Sequence, residues 1–213
     1  MELKDIVVSL FYFLILIIIS KVVINKYYKD DPASKYILPA LFLRIFGSWI
    51  TSFVLIVGDA GTFFHRGRFI YNLFYQDFAL GISLLLPELG SFHYEVDYYL
   101  RILRSHDTST YFVSRTSALA SLMTFNSNYA NHILFSAFSF FGAWKFFNVM
   151  REMYPEMEKK FAFFILFLPS LLLWASTVSK DTLTVAGVFI VVTYVLRFFV
   201  LNQKKPTYLF WMF

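Results

Sequence analysis

The sequence predicts an all-α, polytopic membrane protein with about five transmembrane helices and outer interfacial helices. Three observations predict it. First, 58% of the residues are hydrophobic and 15% are charged, against roughly 45–50% and 25% in soluble domains. Second, the chain carries 28 phenylalanines in 213 residues, more apolar surface than a soluble domain of this length hides. Third, apolar runs of about 17–25 residues, the length that crosses a bilayer, recur along the chain with Lys and Arg at their ends. Lipid offers no partner to an unpaired backbone group, so these runs must be helices.

Ile6–Ile24 is the first run, with no small-residue cleavage site after it, so it reads as a span rather than a signal peptide. Ile37–Val57 is the second and contains Arg44. Arg44 lies about 10 Å inside the span at 1.5 Å per residue, and snorkelling toward the near interface explains it. Tyr129–Val149 is the third, with Lys145 near one end. Phe161–Thr177 is the fourth and contains Pro169. Leu183–Leu201 is the fifth, with Arg197 near its end.

Basic residues set the orientation. One set of connections holds Lys21, Lys26, Lys29 and Lys35, then Lys145, Arg151, Lys159 and Lys160, then Arg197, Lys204 and Lys205. The opposite set holds Lys4, Lys180 and arginines diluted over the long segment from Gly58 to Asn128. Alternation across five spans keeps this partition. The N-terminus and residues 58–128 therefore face outside a plasma (inner) membrane, as does the short turn Ser176–Thr182. Residues 1–213 read as a single transmembrane domain.

The outer segment carries further helical patterns. Phe69–Leu86 is apolar but broken by Asn72, Gln76, Asp77 and Gly81, as an interfacial or a re-entrant helix would be. Tyr94–Arg104 mixes aromatic and charged residues, which suits the headgroup level. Phe112–Phe125 carries Arg115 and reads as another surface helix. The chain ends on Pro206–Phe213, rich in aromatics. This reads as the first turns of a further span in a longer protein, or as an aromatic anchor.

Composition also excludes several chemistries. There is no cysteine, so there is no disulfide frame, thiolate metal site or cysteine nucleophile. The net charge of +5 marks span ends and forms no continuous patch, so no nucleic-acid partner is expected. No Walker loop, dinucleotide glycine fingerprint or Gly-x-Ser-x-Gly elbow occurs. His93, Glu95, Asp97 and His106 match no recognised metal spacing.

Two groups remain as candidates. Asp59 stands at the mouth of the second span, in Gly58-Asp59-Ala60-Gly61-Thr62-Phe63, followed by His65, Arg66 and Arg68. Charge near hydrocarbon is costly and usually has a task. A carboxylate there suits a general base or a cation ligand, and arginine forks suit phosphate oxygens. The plain alternatives are a solvated helix-ending turn and ordinary headgroup contacts. Lys180-Asp181 is the second group, in a tight turn on the same face. Its cation suits phosphate or a sugar hydroxyl, while Asp181 caps the fifth helix.

One resemblance gathers these pieces. A span with Leu43-Arg44-Ile45-Phe46-Gly47 leads to the Gly-Asp-x-x-x-aromatic stretch of residues 58–63. Thr124-Phe125-Asn126-Ser127 precedes a Phe/Ser-rich span. Leu168-Pro169-Ser170, Trp174-Ala175-Ser176 and Ser179-Lys180-Asp181-Thr182 follow. The chain resembles the N-terminal half of multispan bacterial glycosyltransferases of the GT-C type, related to protein mannosyltransferases and lipopolysaccharide-core sugar transferases. The resemblance implies a transferase of cell-envelope polysaccharide biosynthesis. Such enzymes move a sugar from a polyprenyl-phosphate carrier to a glycan or lipid acceptor on the outer face. It implies Asp59 as catalytic base, and His65, Arg66, Arg68, Lys180 and Asp181 as substrate-binding residues. A divalent cation could assist, though none is required. Because the resemblance covers an N-terminal half, an active transferase and a truncated, inactive chain are both open. The other readings are a polymerase or ligase using similar lipid-linked substrates, a transporter or channel subunit, and a non-catalytic membrane assembly protein.

Overall fold

A computed structural model describes residues 3–54, 59–86, 98, 101 and 107–203. Expectations for Gly58, for His93, Glu95, Asp97 and His106, for most of Tyr94–Arg104 and for Pro206–Phe213 lie outside the described residues. The described chain is helical, in the order α1 (Leu3–Tyr27), α2 (Ile37–Val54), α3 (Asp59–Gln76), α4 (Phe78–Leu85), α5 (Thr108–Met123), α6 (Asn128–Met153), α7 (Glu158–Phe161), α8 (Pro169–Trp174) and α9 (Lys180–Val195). Four helical stretches among the described residues are long and apolar enough to cross a membrane: Leu3–Tyr27, Pro32–Phe53, Asn128–Met153 and Lys180–Val200. The protein is an all-α, polytopic membrane protein.

Helix α6 is the axis of the bundle. Ser127 caps it, its side chain accepting from the Ala130 N–H. Its buried residues run from Ala130 to Val149 and cover several faces, as expected of a helix with neighbours on most sides. Helices α1, α2 and α9 pack around it. Helix α1 is the least covered span and shows Leu10, Phe11, Leu14 and Ile18 to the lipid side. Its buried residues are Ser9 and Ser20, small side chains that let helix backbones approach in a membrane.

The two ends of the bundle are fixed by polar ties. At one end Asp31 caps the turn Pro32–Tyr36, accepting from the Ala33 N–H at 2.9 Å, and takes a forked ion pair from Arg151 at the end of α6. The Arg151 guanidinium holds the Asp31 carboxyl below its usual range. At the other end Tyr12 donates to the Met123 carbonyl at 2.6 Å, and Phe53 stacks on Tyr129.

The fourth expected span, Phe161–Thr177, is not one helix. A π-turn over Ala162–Leu166 leads to a break, the short helix α8 and a buried turn through Ser176, Thr177 and Val178. Helices α6 and α9 run parallel, with Phe135 near Val178 at one end and Glu152 against Arg197 at 3.2 Å at the other. The broken segment therefore carries the chain back across. Pro169 is the cause: it has no N–H, so the Ile165 carbonyl four residues earlier loses its helical donor.

Arg44 supplies the replacement. Its guanidinium donates to the Ile165 carbonyl at 3.2 Å, to the Ala175 carbonyl at 3.4 Å and to Ser139 Oγ at 2.6 Å. It thus spans both ends of α8. The expected snorkelling is overturned, because Arg44 is fully buried. A planar fork with five donors finds more acceptors in the broken helix than at a distant interface. One turn further, a Cβ on Gly47 would come 2.3 Å from the Leu172 carbonyl oxygen, so only glycine lets α8 lie this close to α2.

The segment after α2 folds back at the Tyr129 end. Helix α3 lies along α5 with Gly67 against Ser117 and Ala118, while Asp77 caps α4. Apolar packing of Ile70, Leu73, Leu84, Tyr111 and Ala118 joins the three. Helix α5 turns into α6 through Phe125 and Asn126, both at positive φ. There Asn131 bridges Thr124 Oγ1 at 2.7 Å and Ser121 Oγ at 2.8 Å.

Candidate functional site

Asp59 is the first residue of α3 and is exposed. The stretch, for which a helix-ending turn was the plain alternative, is helical from this residue on. A carboxylate in the first turn is favoured by the unpaired N–H groups and the positive end of the helix dipole. Lys180 and Asp181 open α9. The cap of α9 is Ser179, accepting from the Thr182 N–H at 3.2 Å, rather than Asp181, which stands exposed one residue into the helix. A serine at that position has the extended backbone a cap needs, at φ −148° and ψ 163°.

These two helix starts, more than a hundred positions apart in the chain, line one cavity of about 340 Å3. Asp59, Ala60 and Phe63 form one wall. Lys180, Asp181, Ser179 and Thr177 line the cavity from the start of α9 and the turn before it, and Thr51 and Trp174 complete the lining. Two acidic residues, one lysine and several hydroxyl-bearing residues therefore line one space together with Phe63 and Trp174.

Lys180 is positioned by a residue that the sequence reading did not single out. Its Nζ donates to Asp107 Oδ2 at 2.7 Å and to Ser109 Oγ at 2.8 Å. Asp107 also caps α5, accepting from the Ser109 and Thr110 N–H groups. The signal was present in Asp107-Thr108-Ser109-Thr110, a cap residue before a helical pattern; what a local pattern cannot show is that Lys180 reaches it. An ammonium has three donors, so two bonds leave one for a ligand.

The Lys180 ammonium, with the Ser109 and Thr110 hydroxyls, holds the Asp107 carboxyl far below its usual range. A carboxyl lowered in the folded state contributes stability that is complete above its ordinary value of 3.8 and lost as pH falls through the lowered value. Amide exchange at Ser109 and Thr110 should therefore stay slow from neutral pH down past that ordinary value and speed up only in stronger acid. Loss of protection already at mildly acidic pH would show that the tie does not hold.

No family model, curated protein or solved structure matches the chain. The site therefore rests on its own geometry.

His65, Arg66 and Arg68 line no part of the Asp59–Lys180 cavity. At roughly 100° per residue, His65 and Arg68 point well away from the face shared by Asp59, Ala60 and Phe63. Arg66 returns to that face but about two turns further along. His65 and Arg68 are exposed and Arg66 is half-buried.

Lys180 also borders a shallower cavity of about 540 Å3 on its far side, where Thr108, Ser109, Thr184 and Arg115 contribute polar groups. Arg115 donates to the Leu85 carbonyl at 3.3 Å and lies over the Tyr111 ring. Among the described residues no three His, Asp or Glu side chains gather as metal ligands.

Proposed function

We propose that the chain is a membrane glycosyltransferase of GT-C type. It transfers a sugar from a polyprenyl-phosphate carrier to an acceptor hydroxyl on the outer face of the plasma membrane, with the N-terminus outside. The observation that carries this reading is the shared cavity: Asp59 and Lys180 line one space at the same end of the bundle.

The chemistry suits those groups. Asp59 takes the proton of the acceptor hydroxyl. The acceptor oxygen forms the new bond to the anomeric carbon as the bond from that carbon to the phosphate oxygen breaks. The electron pair leaves on the polyprenyl phosphate, and Lys180 stabilises the charge that develops there. Asp107 and Ser109 hold the ammonium in place beforehand, so little reorganisation is needed. Trp174 and Phe63 offer apolar surface to the sugar face or the first prenyl unit. His65, Arg66 and Arg68 serve the carrier only from outside this cavity, at headgroup level. A divalent cation remains compatible with two carboxylates facing one space.

The transporter reading calls for paired charges along a path through the membrane. Among the described residues Arg44 is the fully buried charge, and its partners are a serine and two backbone carbonyls, an arrangement that fastens α8.

The test is transfer of labelled sugar from a polyprenyl-phosphate donor by membranes carrying the chain, with Asp59→Asn as the deciding variant. Sidedness has its own check. The chain has no cysteine, so single cysteines at the exposed positions Thr62 and Thr184 should both react with an impermeant maleimide added to intact cells. Labelling only after lysis would put the cavity on the cytoplasmic side and remove the outer-face reading.

A further inference from the structure

A second, roomier cavity lies at the opposite end of the bundle from Asp59. It encloses about 990 Å3, at the top of the roughly 300–1,000 Å3 usual for ligand sites. On α1, α2 and α9 its lining is confined to one half of the helix, and on α6 it runs from Ala137 to Glu152, about 22 Å at 1.5 Å per residue, which is close to half of a bilayer with its headgroups. Residues 16–23 of α1, 37–41 of α2, 137–152 of α6 and 193–197 at the end of α9 contribute. A further crossing helix would need contact along both halves. A cavity one leaflet deep has the reach of a single lipid.

The lining is also polarised along that depth. Leu16, Ile19, Leu41 and Phe140 lie toward the bundle centre, and Asn148, Arg151, Glu152 and Arg197 toward the end. Of the three cations in the cavity, two are neutralised: Arg151 by Asp31 and Arg197 by Glu152. Lys145 has no carboxylate among the described residues. Its Nζ donates to the Tyr194 hydroxyl at 3.1 Å and lies 4.8 Å from the centre of the Phe141 ring. A lysine at this depth is costly without an anion to meet it, and the open side of the cavity is where one would enter.

We infer that this cavity holds one anionic phospholipid, its phosphate on Lys145 and its acyl chains against α1 and Phe140. The inference is independent of the transferase reading, since neither Asp59 nor Lys180 contributes to this cavity.

Trp144 lines the cavity and serves as the reporter. With Trp49, Trp174 and Trp211 changed to Phe, the chain is reconstituted in phosphatidylcholine bilayers containing a minor fraction of brominated phosphatidylglycerol or brominated phosphatidylcholine. Brominated phosphatidylglycerol should quench Trp144 at about fivefold lower mole fraction, the preference one basic residue provides at an anionic membrane surface. Lys145→Gln should equalise the two lipids. Lys145→Arg, and Lys160→Gln at an exposed site, should keep the preference. Equal quenching in the unaltered cavity, or a preference that survives Lys145→Gln, overturns the inference. So does quenching by neither lipid, which would mean that protein fills the space, or relief of quenching by inorganic phosphate, which would assign the site to a free anion.

Discussion

Asp59→Asn is expected to lower sugar transfer by about 10²–10⁴-fold, the usual worth of a positioned general base, while the amount of protein in the membrane stays normal. The change keeps the shape of the side chain and removes its ability to take a proton. Little stability is at stake. Asp59 is exposed, and among the described residues it has no ion pair. Its interaction with the start of α3 is worth about 0.3–1 kcal/mol. Asp181→Asn provides the comparison, since Asp181 faces the same cavity from the start of α9. A loss under about tenfold there, beside the larger loss at Asp59, would identify Asp59 as the base. Unchanged transfer by Asp59→Asn at normal protein level would leave the site without a base and the proposal without a mechanism.

Arg44→Ala is expected to cost on the order of 3 kcal/mol in denaturant or detergent unfolding, from three acceptors left without a donor at about 1 kcal/mol each. Removing a buried charge relieves some desolvation, but the truncation also empties the space its stem filled. The two carbonyls it held, of Ile165 and Ala175, bracket α8. Amide exchange should therefore accelerate over the turn from Ala175 to Thr182. Arg44→Lys should not restore stability, because one ammonium on a flexible stem does not reproduce a fork across both carbonyls and Ser139. Wild-type stability in Arg44→Ala would show that Pro169 and the π-turn hold α8 without it.

The two experiments bear on each other. Thr177, Ser179, Lys180 and Asp181 follow directly on α8 and form one wall of the Asp59 cavity. If Arg44 fastens α8, transfer by Arg44→Ala should fall with the order of that turn, although Arg44 lies outside the cavity lining. Asp59→Asn should leave the same amides protected. Activity and exchange thus separate the chemistry at residue 59 from the positioning at residue 44.

The sequence by itself determined the class of this protein. Runs of apolar residues long enough to cross a bilayer are a local property, and the bilayer demands a helix of each. Local cap patterns are also present in it: Ser127, Ser179, Asp77 and Asp107 each precede a helix and each caps it, although Asp181 was expected as the cap of α9 and Asp107 was not singled out. Hydropathy did not show that Phe161–Thr177 is broken, although Pro169 in its middle was legible as the reason. Only the tertiary structure decided which charges meet. Lys180 pairs with Asp107, 73 positions away, and shares a cavity with Asp59, while His65, Arg66 and Arg68, close to Asp59 in sequence, stand apart from that cavity. Arg44 reaches carbonyls more than a hundred residues on instead of the interface. Such pairings depend on how parallel and antiparallel helices align their ends, and no local pattern of residues encodes that alignment. Sequence placed the charges at the ends of spans; packing around α6 selected which ends face each other.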